Sequence, residues 1–227
     1  MTGAARIAIL TVTTNAAGHL DAYLDALERV TYPEWSLWVV DNGSRDGSAG
    51  LVRSRRGDAR IIENGENLGF TGACNRALRE LRERDDVDYV VFLNDDTEVT
   101  AGFLEPLVAA ADVRTMVAPK TYLAGQPGIL DDSVGDFDWW RGTWKRRVLG
   151  HPEGAADRYA HEVGTANLSC LLVPIGAFRD VGLLDDAFFV YYDDTDFCRR
   201  AKEAGYRLWY EPASVVFHRK GATLGGQ

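Results

Sequence analysis

Short apolar runs and amphipathic stretches alternate along the first 120 residues. The apolar runs have the length of strands and lie at 6–12, 35–40, 61–62, 90–93 and 116–119. Between them, apolar residues recur at intervals of three or four, as at Leu20, Leu24 and Leu27, with charged residues opposite, which is typical of amphipathic helices. An uninterrupted apolar run indicates a strand that is buried on both faces. The alternation therefore predicts an α/β fold with a mainly parallel, doubly wound, Rossmann-like sheet.

The pattern changes after residue 120. Residues 131–162 are rich in glycine, aspartate and aromatic residues and have no helical period, so we expect hairpins or a mobile lobe there. The tryptophans of this lobe (Trp139, Trp140 and Trp144) fit equally well a local apolar core and a surface that stacks on a sugar or another acceptor.

A helix and two strands are expected to end the chain. The helix should have Asp194 or Thr195 as its N-cap and should end at Gly205. Two separate strands should follow, one around Trp209 and one at 215–217.

Composition is that of an ordinary globular protein, with 46% apolar and 26% charged residues in a chain of 227. The net charge of -9 and the lack of a long basic block argue against a nucleic-acid partner. Three scattered cysteines without paired spacing predict neither a zinc site nor a disulfide framework. No apolar stretch has the length of a membrane span, and the N-terminus lacks a signal region. We expect a cytoplasmic protein without a transmembrane segment, compatible with peripheral membrane contact; the oligomeric state is not predicted.

The run at 90–97 carries the first candidate chemistry. Val90 to Leu93 should form a buried strand, and Asn94, Asp95 and Asp96 follow it directly. In an open α/β sheet, ligands bind at the carboxyl ends of the strands. Neighbouring carboxylates there suit a hard divalent cation that a phosphate shares. The alternative is a plain turn in which Thr97 caps a following helix.

A second acidic cluster follows a run of five apolar or aromatic residues. Asp193, Asp194 and Asp196 stand at the expected start of a helix, where acids normally complement the helix dipole. Three acids within four residues are more than capping requires, so this cluster is a second candidate site.

Four segments together resemble the family 2 glycosyltransferases with the GT-A fold, especially the rhamnosyltransferase-like branch. They occur in the family's order at 39–44, 67–70, 92–97 and 191–199, and the resemblance extends from Ile7 to about Gly225. It implies a sheet with a smaller acceptor-side lobe, residues 1–120 binding a nucleotide-sugar and residues 121–227 carrying the acceptor site and catalysis. Relatives often continue beyond the equivalent of Gly225 with a C-terminal helix or membrane-associating segment, and the sequence does not tell whether this C-terminus is truncated.

The resemblance implies a role for each matching residue. The loop 11–15 would meet the nucleotide base, and Asn94 stands where the family's Asp-x-Asp motif has its first Asp. The implied nucleotide-binding residues are Thr11, Thr13, Asn15, Asp41, Asn42, Asn67, Gly69, Asn94 and Asp95. The implied ligands of a divalent metal, Mn²⁺ or Mg²⁺, are Asp96 and His218.

The implied reaction is the inverting transfer of a sugar from a UDP- or dTDP-sugar to an acceptor hydroxyl. Asp194 matches the family's catalytic base, and Asp193 stands where Glu is usual. The acceptor would be a carbohydrate, a lipid-linked compound or a small molecule in polysaccharide, glycolipid or glycosylated-metabolite synthesis. One alternative is a sugar nucleotidyltransferase, although residues 7–20 contain Gly18 alone and no lysine for a triphosphate loop. The other is a non-catalytic nucleotide-sugar-binding module.

Overall fold

The computed structural model describes residues 3–138, 140–146 and 149–219, and side chains at 144–146 are not described. Its strands are β1 (Ile7–Thr13), β2 (Trp35–Asp41), β3 (Arg60–Glu63), β4 (Tyr89–Leu93), β5 (Thr97–Val99), β6 (Thr115–Leu123), β7 (Val134–Asp138), β8 (Thr143–Arg146), β9 (His161–Glu162), β10 (Thr165–Ala166), β11 (Cys170–Pro174) and β12 (Arg207–His218). Its helices are α1 (Leu20–Glu28), α2 (Ser48–Arg55), α3 (Gly69–Leu81), α4 (Leu104–Ala110), α5 (Ile175–Asp180) and α6 (Asp193–Glu203), with a 3₁₀ turn at Ala156–Arg158.

A nine-stranded sheet forms the centre of the described molecule, in the order β3-β2-β1-β4-β11-β6-β12-β5, with β9 also paired to β12. Strands β1 to β4, β6 and β12 run in one direction, and β5, β9 and β11 run in the other. The predicted mainly parallel sheet is therefore confirmed. Residue 120 lies inside β6, so both halves of the chain contribute to one sheet.

Helices cover both faces of this sheet. Successive residues of β1 point to opposite sides, so Ala8 and Leu10 pack with α3, α5 and α6, whereas Ile7 and Ile9 pack with α1, α2 and α4. Each side is a continuous layer of buried apolar side chains. The sheet is doubly wound, as the alternation of apolar runs and amphipathic stretches predicts.

The lobe after β6 contains a small three-stranded antiparallel sheet, in the order β10-β7-β8. The expectation of a hairpin is confirmed, since β7 and β8 pair with Phe137 opposite Trp144. Trp140 at its tip is fully exposed, so a local core is wrong for this side chain, and Tyr159 is also 72% exposed. Trp139 and the side chain of Trp144 lie outside the described residues.

The end of the chain differs from the expectation in two respects. Residues 207–218 form one strand instead of two, because a β-bulge between Glu211 and Val215 lets pairing with β6 continue. Helix α6 begins at Asp193, and the residue before it is Tyr192 in a left-handed conformation with no side-chain cap. The expected cap at Asp194 or Thr195 is therefore wrong. No helix in the described ranges is long and apolar enough to cross a membrane.

Candidate active site

The acidic turn after β4 lies at the carboxyl end of the parallel strands. Thr97 closes the turn, since its N–H and its hydroxyl both donate to the carbonyl oxygen of Asn94, at 3.2 and 2.6 Å. The N–H of Asn94 donates to the carbonyl oxygen of Ser169, 3.0 Å away. Thr97 begins β5, so the expectation that it caps a helix is wrong. The turn leaves Asp95 and Asp96 buried at the sheet edge.

Asp96 meets His218, the last residue of β12. Oδ1 of Asp96 lies 3.1 Å from Nε2 of His218, and the N–H of Arg219 donates to the Asp96 carbonyl oxygen at 2.9 Å. Oδ1 is buried, and no described residue donates a hydrogen bond of good geometry to it. The structure thus brings the two predicted metal ligands side by side.

Asp131 holds the other ring nitrogen of His218, although sequence reasoning did not single it out. Its Oδ2 lies 2.7 Å from Nδ1 of His218, and both side chains are buried. Burial by itself lowers the pKa of His218, but the hydrogen bond to Asp131 and the contact with Asp96 outweigh it and raise the pKa to about 9. Between two carboxylates, the imidazole is therefore cationic at neutral pH when no metal is bound.

The separation of the Asp96 and His218 side chains matches that of two neighbouring ligands of one divalent cation. With metal–ligand bonds of about 2.1 Å in an octahedral site, neighbouring ligand atoms are about 3 Å apart, close to the 3.1 Å observed. No three His, Cys, Asp or Glu side chains within the described ranges form a metal-binding group, and Asp131 faces the opposite ring nitrogen. Further ligands would have to come from a diphosphate and water.

His19 is a second residue that sequence reasoning missed. It lies just before α1, and its Nε2 is 3.4 Å from Oδ1 of the buried Asp95. The side-chain contact with Asp95 raises the pKa of His19. A positive charge is therefore favoured beside the acidic turn. A single histidine between Gly18 and Leu20 has no local pattern that would have indicated this contact.

Thr13 and Asp41 lie next to each other at the ends of β1 and β2. Oγ1 of Thr13 and Oδ2 of Asp41 are buried and have no hydrogen-bond partner among the described residues. The other carboxylate oxygen of Asp41 accepts the N–H of Ser44 at 2.9 Å. Leaving a buried polar atom unpaired costs about 1–3 kcal/mol. These two atoms therefore favour a ligand that offers hydrogen-bonding groups.

Asn42 organises the loop that follows β3. Its Nδ2 donates to Oδ1 of Asn67 at 2.9 Å and to the carbonyl of Gly69 at 3.2 Å. Its Oδ1 accepts from Nδ2 of Asn64 at 3.0 Å and from the N–H of Leu68 at 2.9 Å. All four hydrogen-bonding positions of the amide are occupied. Asn42 thus shapes the loop, and its direct contact with a nucleotide stays a prediction.

The connection after β1 differs from the expected loop at 11–15. Pairing with β2 continues to Thr13, so the expectation that the loop begins at Thr11 is wrong. The hydroxyl of Thr11 is buried and bonds to that of Tyr23 in α1. Asn15 is exposed with φ of +50°, and its Oδ1 accepts the N–H of Arg45 at 2.9 Å. This bond ties the loop after β1 to the loop after β2.

Gly69 begins α3 in contact with the segment that precedes α6. The N–H of Phe70 donates to the carbonyl oxygen of Phe189 at 3.0 Å. Gly69 has φ of +73°, and a Cβ there would lie 2.5 Å from the same oxygen and 2.7 Å from the Phe189 ring. Only glycine fits this approach. The predicted nucleoside loop and the predicted acceptor segment are therefore packed together.

The acids at the start of α6 have different environments. Asp193 is 5% exposed, and burial followed by the charge of Asp194 raises its pKa to about 6. Oδ1 of Asp194 accepts the N–H and the hydroxyl of Thr195, at 2.6 and 3.1 Å, which stabilises the carboxylate form. Asp196 pairs with Arg200 one turn later, at 2.8 Å. The buried Asp193 therefore retains its proton to a higher pH than an ordinary aspartate.

The segment between β10 and β11 joins α6 to the acidic turn. The Cys198 thiol, one turn after Asp194, donates to the carbonyl oxygen of Ala166 at 3.3 Å. The carbonyl oxygen of Ser169, three residues after Ala166, accepts the N–H of Asn94. The start of α6 and the turn with Asp96 are thereby connected at one end of the sheet. A surface cavity of about 610 Å³ lies at the other end, beside Arg6, Trp35 and Trp38.

A sequence model described as "Glycosyl transferase family 2" matches residues 8–162. The N-acetylglucosaminyl-diphospho-decaprenol L-rhamnosyltransferase of Mycobacterium tuberculosis is 28% identical, over 96% of this chain and 77% of that protein. The low-salt glycan biosynthesis hexosyltransferase Agl10 of Haloferax volcanii is 26% identical, over 75% of this chain and 54% of that protein.

Two solved structures resemble the fold. GalNAc-T7 with UDP, GalNAc and Mn²⁺ gives a TM-score of 0.76 at 16% identity, over 96% of this chain and 44% of that one. S. aureus TarS 1-349 in complex with UDP gives 0.68 at 15% identity, over 93% and 60%. This chain therefore spans less than two thirds of either structure.

Proposed function

The chain belongs to glycosyl transferase family 2, in its rhamnosyltransferase-like branch, and is a glycosyltransferase with the GT-A fold. From this premise we propose that it transfers a sugar from a UDP- or dTDP-sugar to an acceptor hydroxyl, in a metal-dependent reaction that inverts the anomeric centre. Residues 1–120 bind the donor, and residues 121–227 supply the acceptor site and the catalytic base.

The donor nucleoside binds across the ends of β1, β2 and β3. The unpaired oxygens of Thr13 and Asp41 support this site, because a base N–H or a ribose hydroxyl would satisfy the carboxylate of Asp41. The loop that Asn42 organises closes over the nucleoside. Asn94 and Asp95 lie on the diphosphate side, where His19 adds positive charge beside Asp95.

Asp96 and His218 hold the divalent cation. The observation that carries this assignment is their 3.1 Å contact together with the buried Oδ1 of Asp96. When bound, the cation stabilises the negative charge that builds up on the departing diphosphate. Both ligands come from strand ends, so the sheet fixes their relative position.

Asp194 acts as the base. The acceptor oxygen attacks the anomeric carbon as the carbon–oxygen bond to the diphosphate breaks, and its electron pair leaves with the diphosphate. Asp194 takes the proton from the acceptor hydroxyl. The hydrogen bonds from Thr195 and the start of α6 favour its ionised form. Asp193 is buried beside it, retains a proton more readily and positions the acceptor.

The acceptor is a saccharide, and the name of the mycobacterial relative supports one attached to a lipid diphosphate. Such an acceptor lies at a membrane surface, which suits peripheral contact.

A thermal-shift panel tests the donor assignment, because a ligand that binds the native state raises the unfolding temperature. The panel contains UDP, dTDP, GDP and their sugars, each with Mn²⁺ and with EDTA. We expect UDP or dTDP compounds to stabilise the protein only with Mn²⁺. UTP and dTTP are included for comparison. Stabilisation by these triphosphates in place of the diphosphates would favour a nucleotidyltransferase, and no shift with any nucleotide would contradict the proposal.

A further inference from the structure

The surroundings of Asp131 explain how the ring of His218 is oriented. Both carboxylate oxygens of Asp131 are engaged, Oδ1 with the N–H of Asp132 at 2.6 Å and Oδ2 with Nδ1 of His218 at 2.7 Å. Its own N–H donates to the carbonyl of Thr121 in β6, 2.8 Å away. The carboxylate is thus fixed by the main chain on one side and faces the histidine on the other.

The main chain of His218 is fixed as well. It pairs with Thr97 of β5 and Leu123 of β6, and its carbonyl accepts the N–H of Ala124 at 2.9 Å. With Cα set by the sheet, rotation of the side chain decides which ring nitrogen faces Asp96. A hydrogen bond at Nδ1 selects the rotamer that places Nε2 beside Asp96. It also keeps the proton on Nδ1 when Nε2 gives up its own proton to bind a metal ion.

We propose that Asp131 is the positioning residue of the metal site, holding His218 with its proton on Nδ1 and its lone pair on Nε2. This inference rests on the proposed function, in which Asp96 and His218 bind the cation. A carboxylate behind a metal-binding imidazole also makes the nitrogen a stronger donor, and loss of such a partner typically weakens metal binding about 10- to 100-fold. The lobe after β6 therefore contributes to the metal site without touching the ion.

The test compares Mn²⁺ binding by wild type, Asp131→Asn and Glu153→Gln, using the electron paramagnetic resonance signal of unbound Mn²⁺ and no nucleotide. Glu153 is the control, since it is a partly buried carboxylate that also lies near β6 but bonds to Lys120 and Tyr122. We expect Asp131→Asn to weaken Mn²⁺ binding about 10- to 100-fold and Glu153→Gln to leave it unchanged. Thermal unfolding checks that each variant is folded.

Equal Mn²⁺ affinity in Asp131→Asn and wild type would overturn the role of Asp131 while leaving the metal site in place. Absence of Mn²⁺ binding by wild type would overturn both the role and the proposed metal dependence. If Asp131→Asn does not fold, ¹⁵N NMR of histidine-labelled, Mg²⁺-loaded wild type decides the question. A proton on Nδ1 alone supports the proposal, and a proton on Nε2, alone or together with one on Nδ1, contradicts it.

Discussion

The N–H of Phe70 donates to the carbonyl oxygen of Phe189 at 3.0 Å. This bond joins the loop proposed to close over the donor to the segment that leads into Asp193 and Asp194. Within that segment, Tyr191 and Tyr192 have φ of +69° and +63°, a backbone conformation that is unfavourable for residues other than glycine. The position of Asp193 and Asp194, the proposed catalytic residues, therefore depends on how closely the two segments pack.

Gly69→Ala should separate the loop at the start of α3 from the segment that precedes α6. Alanine at positive φ costs about 1–2 kcal/mol, and its Cβ would also overlap the carbonyl and ring of Phe189. Gly65→Ala is the matched control, because Gly65 has nearly the same φ (+75°) and open space around a Cβ. Urea unfolding should show a larger loss of unfolding free energy for Gly69→Ala than for Gly65→Ala. Only Gly69→Ala should lower kcat for transfer. Equal losses in both variants would refute the packing argument.

Asp194→Asn should abolish sugar transfer while nucleotide binding is retained. A general base typically contributes about 100-fold or more to the rate, so kcat should fall by at least that factor. Asp196→Asn serves as the control, because Asp196 is in the same first turn but pairs with Arg200. Transfer within about tenfold of wild type in Asp194→Asn would remove Asp194 from this role.

Asp193 should make the free energy of unfolding depend on pH in a specific direction. Its pKa is raised from 3.8 to about 6 by burial, followed by the charge of Asp194, so the folded state binds its proton more tightly than the unfolded state. Stability is therefore lost as the pH rises from about 4 to about 6, and the penalty persists above pH 6.

Asp193→Asn removes this penalty. Urea unfolding should show little gain in stability at about pH 4 and a gain on the order of 2–3 kcal/mol above about pH 7. A difference in unfolding free energy between Asp193→Asn and wild type that stays constant across this pH range would mean that burial does not raise the pKa of Asp193.

The acidic turn after β4 could be predicted from the sequence for a physical reason. Asp95 and Asp96 come within three residues of the apolar run 90–93, and ligands of an open α/β sheet bind at the carboxyl ends of its strands. His218 entered only through the family resemblance, since a lone histidine near the end of a strand has no distinctive pattern.

The partners of these residues could not be predicted. Asp131 and His218 are 87 positions apart, and the contact exists only because the chain after β6 turns back along that strand, beside β12. The single strand β12 was also missed, since Pro212 interrupts the apolar pattern and the bulge that accommodates it depends on pairing with β6. Local pattern cannot report a contact that long-range pairing creates.

The central claim is that Asp96 and His218 hold a cation to which the diphosphate of the donor binds. Isothermal titration calorimetry of UDP or dTDP, with Mn²⁺ and with excess EDTA, tests it directly in wild type, His218→Ala and Glu98→Gln. Glu98 is the control because it lies beside the site and pairs with Arg219. We expect Mn²⁺ to strengthen binding at least about tenfold, or about 1.4 kcal/mol, in wild type and Glu98→Gln and to have no effect in His218→Ala. Equal affinity in Mn²⁺ and EDTA for wild type, or a full Mn²⁺ effect in His218→Ala, would contradict the account.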